Sequence, residues 1–322
     1  NHNGSIKLAY KLVDMAKRCG ADYVKFQTSI PALHISKFAK KAKYQKKNTK
    51  KNESQLDMAK KIILSYDEFK KLNFYCKRKN IKFLSTAFDL QSIKFLKKFN
   101  MDFFKIPSGE ITNLMYLEEI GKMKKKVILS TGMAKLSEIR DAIKILVEKG
   151  TKKKNITILH CNTEYPTPIN DVNLRAMITI RDKLKVSVGY SDHTEGTDVA
   201  PAAVALGASI IEKHITLNKN MRGPDHKASI DESELKLMIK RIRNTETILG
   251  KSSKKPTQSE KKNIKIARNA LVAKNYIKKG QKFSLKNLTA KRPAIGISPM
   301  KIKKMIGKKA KKNFVYDEPI KI

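Results

Sequence analysis

Seven times between positions 21 and 249, a short run rich in β-branched and aromatic residues is followed by a segment whose apolar residues recur at helical spacing. Strands that alternate with helices in this way pair in parallel, because each helix carries the chain back along the sheet before the next strand begins. The strand segments are 21–28, 81–85, 102–106, 126–129 and 156–160, then the two runs that begin at Val186 and Ile210. The helical segments are 66–79, 90–99, 114–123, 137–149, 173–183, 199–206 and 232–249. A further helix over 5–19, with Gly20 as its C-cap, stands before the first strand and implies one more strand upstream of Asn1. Eight strand–helix pairs close a parallel (β/α)8 barrel of the TIM type in roughly 250 residues, so the fold class predicted for 1–249 is an α/β barrel.

Such a barrel needs a large core, and 322 residues of which 40% are hydrophobic supply one. No apolar run approaches the ~20 residues of a membrane span; the stretch 199–211 contains Pro201 and is broken by Gly207. The chain opens on Asn-His-Asn-Gly with no basic segment and apolar core behind it, so no leader is expected. Cys19, Cys76 and Cys161 are scattered and share no Cys-x-x-Cys spacing, which suits free thiols in a reducing, cytoplasmic setting. The formal charge of +41 is carried mostly by lysine along the whole length, and only 40–51 forms a long basic block. Zinc-finger spacing, an aromatic-interleaved RNA signature and a recognition-helix pattern are all missing. The charge therefore reads as a surface that aids solubility and draws in small anions, with no nucleic-acid partner.

In a parallel barrel the loops after each strand carry the chemistry, and the polar residues of this chain gather there. They are Lys25 and Gln27, Ser85 and Thr86, Lys105, Ser108 and Glu110, Ser130 and Thr131, Thr163 and Tyr165, Ser191 and His193, then His214. Two lysines among so many hydroxyls suit a phosphate and a carboxylate. The Ser130-Thr-Gly turn suits close approach of the backbone to a phosphate oxygen, or it simply caps the next helix. The runs 186–194 and 210–216 each lead to a histidine, and the Ala-rich helix between them puts both at one edge of neighbouring strands. Two neutral imidazoles there suit a divalent metal, although a histidine at a strand end is also commonly satisfied by hydrogen bonds. Beyond the last helix, 250–262 is polar and contains Pro256, as a linker does. Segment 263–322 holds short β-rich runs (270–273, 281–284, 288–291) and one short helix near 301–306, and is read as a small second domain.

These residues also fall into ordered motifs. They are Asn-His-Asn-Gly (1–4), Val-Lys-Phe-Gln-Thr (24–28), Leu-Ser-Thr-Ala-Phe-Asp (84–89), Lys-Ile-Pro-Ser-Gly-Glu (105–110) and Ile-Leu-Ser-Thr-Gly-Met (128–133). Further along come His-Cys-Asn-Thr-Glu-Tyr-Pro-Thr-Pro (160–168), Gly-Tyr-Ser-Asp-His-Thr (189–194), Ile-Glu-Lys-His (211–214), Gly-Pro-Asp-His-Lys-Ala-Ser (223–229) and Lys-Arg-Pro-Ala-Ile-Gly-Ile-Ser-Pro (291–299). In this the chain resembles the N-acetylneuraminate (sialic acid) synthase family, which includes the legionaminic and pseudaminic acid synthases. The resemblance implies a barrel followed by an antifreeze-like (SAF) domain. It also implies condensation of phosphoenolpyruvate with an open-chain N-acetylmannosamine-type sugar to N-acetylneuraminate and phosphate, or with a 2,4-diacetamido-6-deoxy sugar to legionaminic or another modified nonulosonic acid.

Carried over residue by residue, the resemblance makes His193 and His214 ligands of Mn2+ or Mg2+. It gives Lys25, Thr86, Lys105, Ser108, Ser130 and Ser191 to phosphoenolpyruvate. Gln27, Glu110, Tyr165 and Asp225 fall to the sugar end, and Thr163 is a further substrate contact. Arg292 resembles an arginine that the small domain delivers to the partner subunit, which implies a domain-swapped homodimer. The family's proposed acid–base glutamate precedes Asn-His-Asn-Gly, so the chain as written is expected to turn over poorly. Ala87 and Ala294 stand where the family has proline and glycine.

Overall fold

The structure is a computed structural model and describes residues 1–49 and 52–321; Lys50 and Lys51 of the basic block lie outside the described residues. It divides into two compact units, Asn1–Gly250 and Lys251–Ile322. The first unit begins with α1 (Ile6–Cys19), β1 (Tyr23–Thr28) and three short helices, α2 (Pro31–His34), α3 (Lys43–Asn48) and α4 (Gln55–Ile62). There follow α5 (Tyr66–Arg78), β2 (Lys82–Ala87), α6 (Leu90–Leu96), β3 (Phe103–Ile106), α7 (Leu114–Lys122), β4 (Lys126–Ser130) and α8 (Leu136–Glu148). The unit ends with β5 (Ile156–Cys161), α9 (Arg175–Leu184), β6 (Ser187–Asp192), α10 (Val199–Ala205), β7 (Ile211–Lys213) and α11 (Glu232–Leu249).

The helix boundaries follow local chemistry. Gly20 takes φ 84°, a left-handed conformation open to glycine at little cost, and its N–H donates to the carbonyls of Ala16 and Lys17 to end α1. At the start of α5, Ser65 and Glu68 form a reciprocal capping box: the Ser65 hydroxyl accepts the Glu68 N–H at 3.2 Å, and Glu68 accepts the Ser65 N–H at 2.8 Å.

All seven strands are parallel and pair in chain order, β1 through β7. Phe69 and Leu72 of α5, Leu117 and Ile120 of α7, and Ile139 and Leu146 of α8 are buried against Val24, Phe104, Ile106 and Leu129 of the sheet. Burying one such side chain stabilises the fold by about 1.5–3 kcal/mol. The helical layer brings its ends together: Leu12, Met15 and Cys19 of α1 pack with Leu235, Met238 and Ile242 of α11. Arg18 clasps Glu232 with two hydrogen bonds of 2.9 Å. The strand layer, among the described residues, stays open between β1 and β7. A cavity of about 810 Å³ extends into that opening, past Val24, Phe26, Ile211 and Ile215 to Leu12 and Met238. An eighth strand of a closed barrel would occupy that position.

The polar insertion after β1 holds three short helices, because capping compensates for its scant apolar content: Ser54 accepts the Asp57 N–H at 3.0 Å to start α4. One stretch differs from the sequence reading. Within 250–262, read as linker, a helix α12 (Gln258–Ala267) begins on a Thr257–Glu260 capping box. The second unit otherwise contains an antiparallel pair, β8 (Ala270–Ala273) with β9 (Leu288–Lys291), and α13 (Ile302–Met305). Its core is Leu271, Ile277, Phe283, Leu288, Phe314 and Ile320. The run 281–284 makes only an isolated bridge, Lys282 with Lys309, since its neighbours leave it by turns. No helix among the described residues is long and apolar enough to cross a membrane.

Candidate active site

Side chains alternate along a strand, so Glu212 and His214 share a face of the β7 segment while Lys213 takes the other. The register of β6 on β7 sets Ser191 beside Glu212 and Asp192 beside Lys213. Ser191 donates to Glu212 Oε1 at 2.8 Å. The same carboxylate faces two lysines, Lys105 Nζ at 3.5 Å and Lys25 Nζ at 3.9 Å. Lys105 also donates to Ser130 Oγ at 2.5 Å. Burial alone would raise the Glu212 carboxyl, but Lys105, Lys25 and the Ser191 hydroxyl outweigh it and hold the group below the usual carboxylate range. Burial lowers Lys105 from its ordinary value, against the pull of Glu212. Glu212 is the functional residue that sequence reasoning missed. Its signal was the two-residue spacing to His214 within Ile-Glu-Lys-His.

On the other face, Lys213 donates to Asp192 Oδ2 at 2.8 Å and to the Thr194 carbonyl at 2.6 Å, with both ionic side chains sealed from solvent. This bond brackets His193 between two anchored neighbours. His193 Nδ1 donates to the Asn162 carbonyl at 2.5 Å, which leaves the lone pair on Nε2, where the Tyr165 hydroxyl donates at 3.0 Å. The His193 and His214 ring centres lie 5.4 Å apart, and Tyr165 stacks on His193 at 4.1 Å and meets His214 edge-on at 5.6 Å. Burial lowers both histidines, and His214 falls furthest because His193 and Lys25 add to the effect. Both rings are thus neutral near pH 7, the state in which imidazole binds metals. Among the described residues no group of three or more His, Cys, Asp and Glu side chains is arranged to hold an ion. The donor set is a pair of imidazoles, one oriented by a backbone carbonyl.

The remaining strand-end residues divide. Gly132 donates its N–H to Ser108 Oγ at 2.9 Å, and a Cβ at that position would lie 2.5 Å from Thr163 Cγ2, so only glycine lets the Ser130-Thr-Gly turn approach so closely. Thr86 is buried and its hydroxyl has no hydrogen-bond partner among the described residues, as is also true of Asp225 Oδ1. Burial pushes the Asp225 carboxyl up. Gln27, Lys25, Glu212, His214 and Asp225 line one cavity. Glu110 instead accepts from Asn113 Nδ2 at 2.6 Å in the turn after β3. Arg292 is exposed in the second unit.

The chain matches the NeuB family over residues 12–254 and the SAF domain over 268–322. It is 54% identical to the N,N'-diacetyllegionaminic acid synthase of Campylobacter jejuni, over 100% of this chain and 96% of that protein. It is 41% identical to the protein of the same name from Legionella pneumophila, over 97% and 88%. A crystal structure of N-acetylneuraminic acid (sialic acid) synthetase from Leptospira borgpetersenii, in complex with citrate, superposes with a TM-score of 0.71 at 32% identity, covering 82% of this chain and 87% of that one. A barrel whose strand ends gather lysines, hydroxyls and a histidine pair, joined to a SAF domain and related over its whole length to these synthases, belongs to the NeuB family of nonulosonic acid synthases.

Proposed function

We propose that this protein condenses phosphoenolpyruvate with the open-chain form of a 2,4-diacetamido-6-deoxy sugar, giving a legionaminic-type nine-carbon 2-keto acid. One water is consumed and inorganic phosphate leaves. The observation that carries the reading is the cluster of Lys25, Lys105, Ser130 and Ser191 around Glu212, next to the His193–His214 pair. Two ammonium groups, Lys105 buried and Lys25 half-buried, and several hydroxyls hold the phosphate and carboxylate of phosphoenolpyruvate. Glu212 gives both lysines a shared counter-charge between turnovers, and the Ser108 hydroxyl adds a neutral donor. Asp225, with one oxygen lacking a donor, accepts hydrogen bonds from the acceptor's hydroxyls. Tyr165 orients His193 and covers one face of its buried ring.

His193 and His214 fit a borderline divalent ion such as Mn2+, whose shell water and substrate oxygens would complete. When bound, it would polarise the acceptor's carbonyl oxygen. The 54% and 41% identity to two N,N'-diacetyllegionaminic acid synthases favours the diacylated acceptor over N-acetylmannosamine. Phosphate release measured with each acceptor tests the reading. At least tenfold higher kcat/KM with the 2,4-diacetamido-6-deoxy sugar is expected, together with loss of turnover in chelator and recovery with Mn2+. Absence of phosphate release with either acceptor sinks it.

A further inference from the structure

Residues 251–322 carry 22 Lys and Arg against three Asp and Glu, so the smaller unit holds +19 of the chain's +41 charge. Two of its segments concentrate the excess. Segments 276–285 and 306–315 run antiparallel as an irregular ribbon. Ile277 and Phe314 exchange backbone hydrogen bonds of 2.9 and 2.8 Å, the Phe283 N–H donates to the Lys308 carbonyl at 2.9 Å, and Lys282 bridges Lys309. The ribbon is anchored in the core by Ile277, Phe283, Ala310 and Phe314, which leaves its remaining side chains to solvent. Lys278, Lys279 and Lys282 are exposed on the first segment, and Lys308, Lys309, Lys311 and Lys312 on the second.

The fold hardly neutralises this surface. Among the described residues Lys312 alone of the seven meets a carboxylate, that of Glu318. Like charges crowded together repel, and a polyanion relieves the repulsion. A second copy of this chain does not, because each of its units is itself positive.

Apolar side chains decide which polyanion fits. Tyr276, Leu285, Ile306 and Val315 stand exposed on the same two segments, Leu285 at 67%. Against a nucleic-acid backbone they gain nothing. At a bilayer surface they enter the headgroup layer, while the lysine stems extend and their ammonium groups meet lipid phosphates. The cations are also of the matching kind: 20 of the 22 in this unit are lysines, whereas nucleic-acid recognition favours the planar fork of arginine.

We infer that the ribbon of 276–285 and 306–315 binds an anionic lipid surface and seats the protein peripherally on a membrane. No helix among the described residues is long and apolar enough to cross one, so the attachment is reversible and salt-sensitive. The inference is independent of the condensation proposed above.

Sedimentation of the full chain with vesicles tests it. Binding to vesicles of phosphatidylcholine and phosphatidylglycerol in a ratio of about two to one is expected to be at least tenfold tighter than to phosphatidylcholine alone. The triple variant Lys282→Glu, Lys309→Glu, Lys311→Glu should bind the mixed vesicles at least tenfold more weakly. Lys152→Glu, Lys153→Glu, Lys154→Glu makes the same charge change on an exposed run of the first unit and should stay within threefold of wild type. No binding by the wild type, equal binding to both kinds of vesicle, or equal losses in the two triple variants overturns the inference. Leu285→Ser with Ile306→Ser separates the polyanions: a loss of threefold or more on vesicles is expected, with affinity for a single-stranded oligonucleotide unchanged. Undiminished vesicle binding by that variant, or an oligonucleotide that strips the wild type from vesicles at equal phosphate concentration, assigns the ribbon to nucleic acid and overturns the lipid reading. Should circular dichroism show a Glu variant unfolded, both triple variants are made with Gln, where a threefold loss confined to the ribbon is expected and equal losses overturn it.

Discussion

Glu212 on β7 and Lys105 on β3 meet at 3.5 Å although three strands separate them in the sheet. Only a sheet curled on itself brings them together. Removing the carboxylate leaves the buried Lys105 and the half-buried Lys25 without their shared counter-charge, and breaking a buried pair this way costs up to about 3–5 kcal/mol. Glu212→Gln is therefore expected to melt below the wild type. Inorganic phosphate is expected to bind the folded cradle and to raise the Tm of the variant more than that of the wild type. Equal phosphate shifts in the two proteins count against the cradle.

Lys213 and Asp192 form a second sealed pair on the opposite face of the same two strands. Lys213→Met orphans the aspartate, and a loss of about 3–5 kcal/mol in urea unfolding is expected. The double variant Lys213→Met, Asp192→Asn should lose less than the two single variants summed, since each single change strands its partner. Additive losses mean that the two residues do not act as a pair.

Tyr44 of α3 stacks on Tyr165 at 5.2 Å and 27°, and Tyr165 stacks on His193, so three rings run from the insertion into the site. Aromatic pairs of this geometry contribute about 0.5–1.5 kcal/mol. Tyr44→Ala is expected to raise the acceptor KM roughly two- to tenfold by freeing Tyr165, with the phosphoenolpyruvate KM unchanged and Tyr44→Phe close to wild type. Steady-state kinetics with each substrate varied in turn checks this.

Cys76 lies wholly buried in the core, and burial pushes its thiol from the ordinary 9.0 to about 12. Between those values the folded chain keeps a proton that the unfolded chain has released. Stability therefore falls as pH rises through that window, and this contribution is flat below it. Chemical denaturation at pH 8 and pH 10.5 should show the loss in the wild type and a smaller loss in Cys76→Ala. Iodoacetamide should label Cys76 at pH 8 only after unfolding.

The barrel was legible because its strands announce themselves. Runs such as Ile156–Cys161 are β-branched, bounded by polar loops and followed by helix-period segments. The residues at strand ends were legible too, since topology sends all seven C-termini to one edge. What the chain concealed was contact across the barrel. Glu212 stood in plain view between Ile211 and Lys213, yet its partners Lys25 and Lys105 lie far away in sequence, and no local pattern reports curvature. The helices of the insertion after β1 were not legible for a different reason. Its helices are four to eight residues long, and the two longer ones carry lysines and are held by caps and by contacts such as Asn48 with Pro224 that propensity does not record.

The alternation at 212–214 has a consequence for how errors in assembly are handled. If β7 slid by one residue, Lys213 would swing into the cleft and Glu212 and His214 would be driven among the helices, because each step along a strand inverts its side chains. Such a misthreaded copy would forfeit its sealed ion pair in the same motion that scrambles its working groups. Molecules that pass the cell's quality control by being stable therefore carry aligned chemistry, and the one property certifies the other.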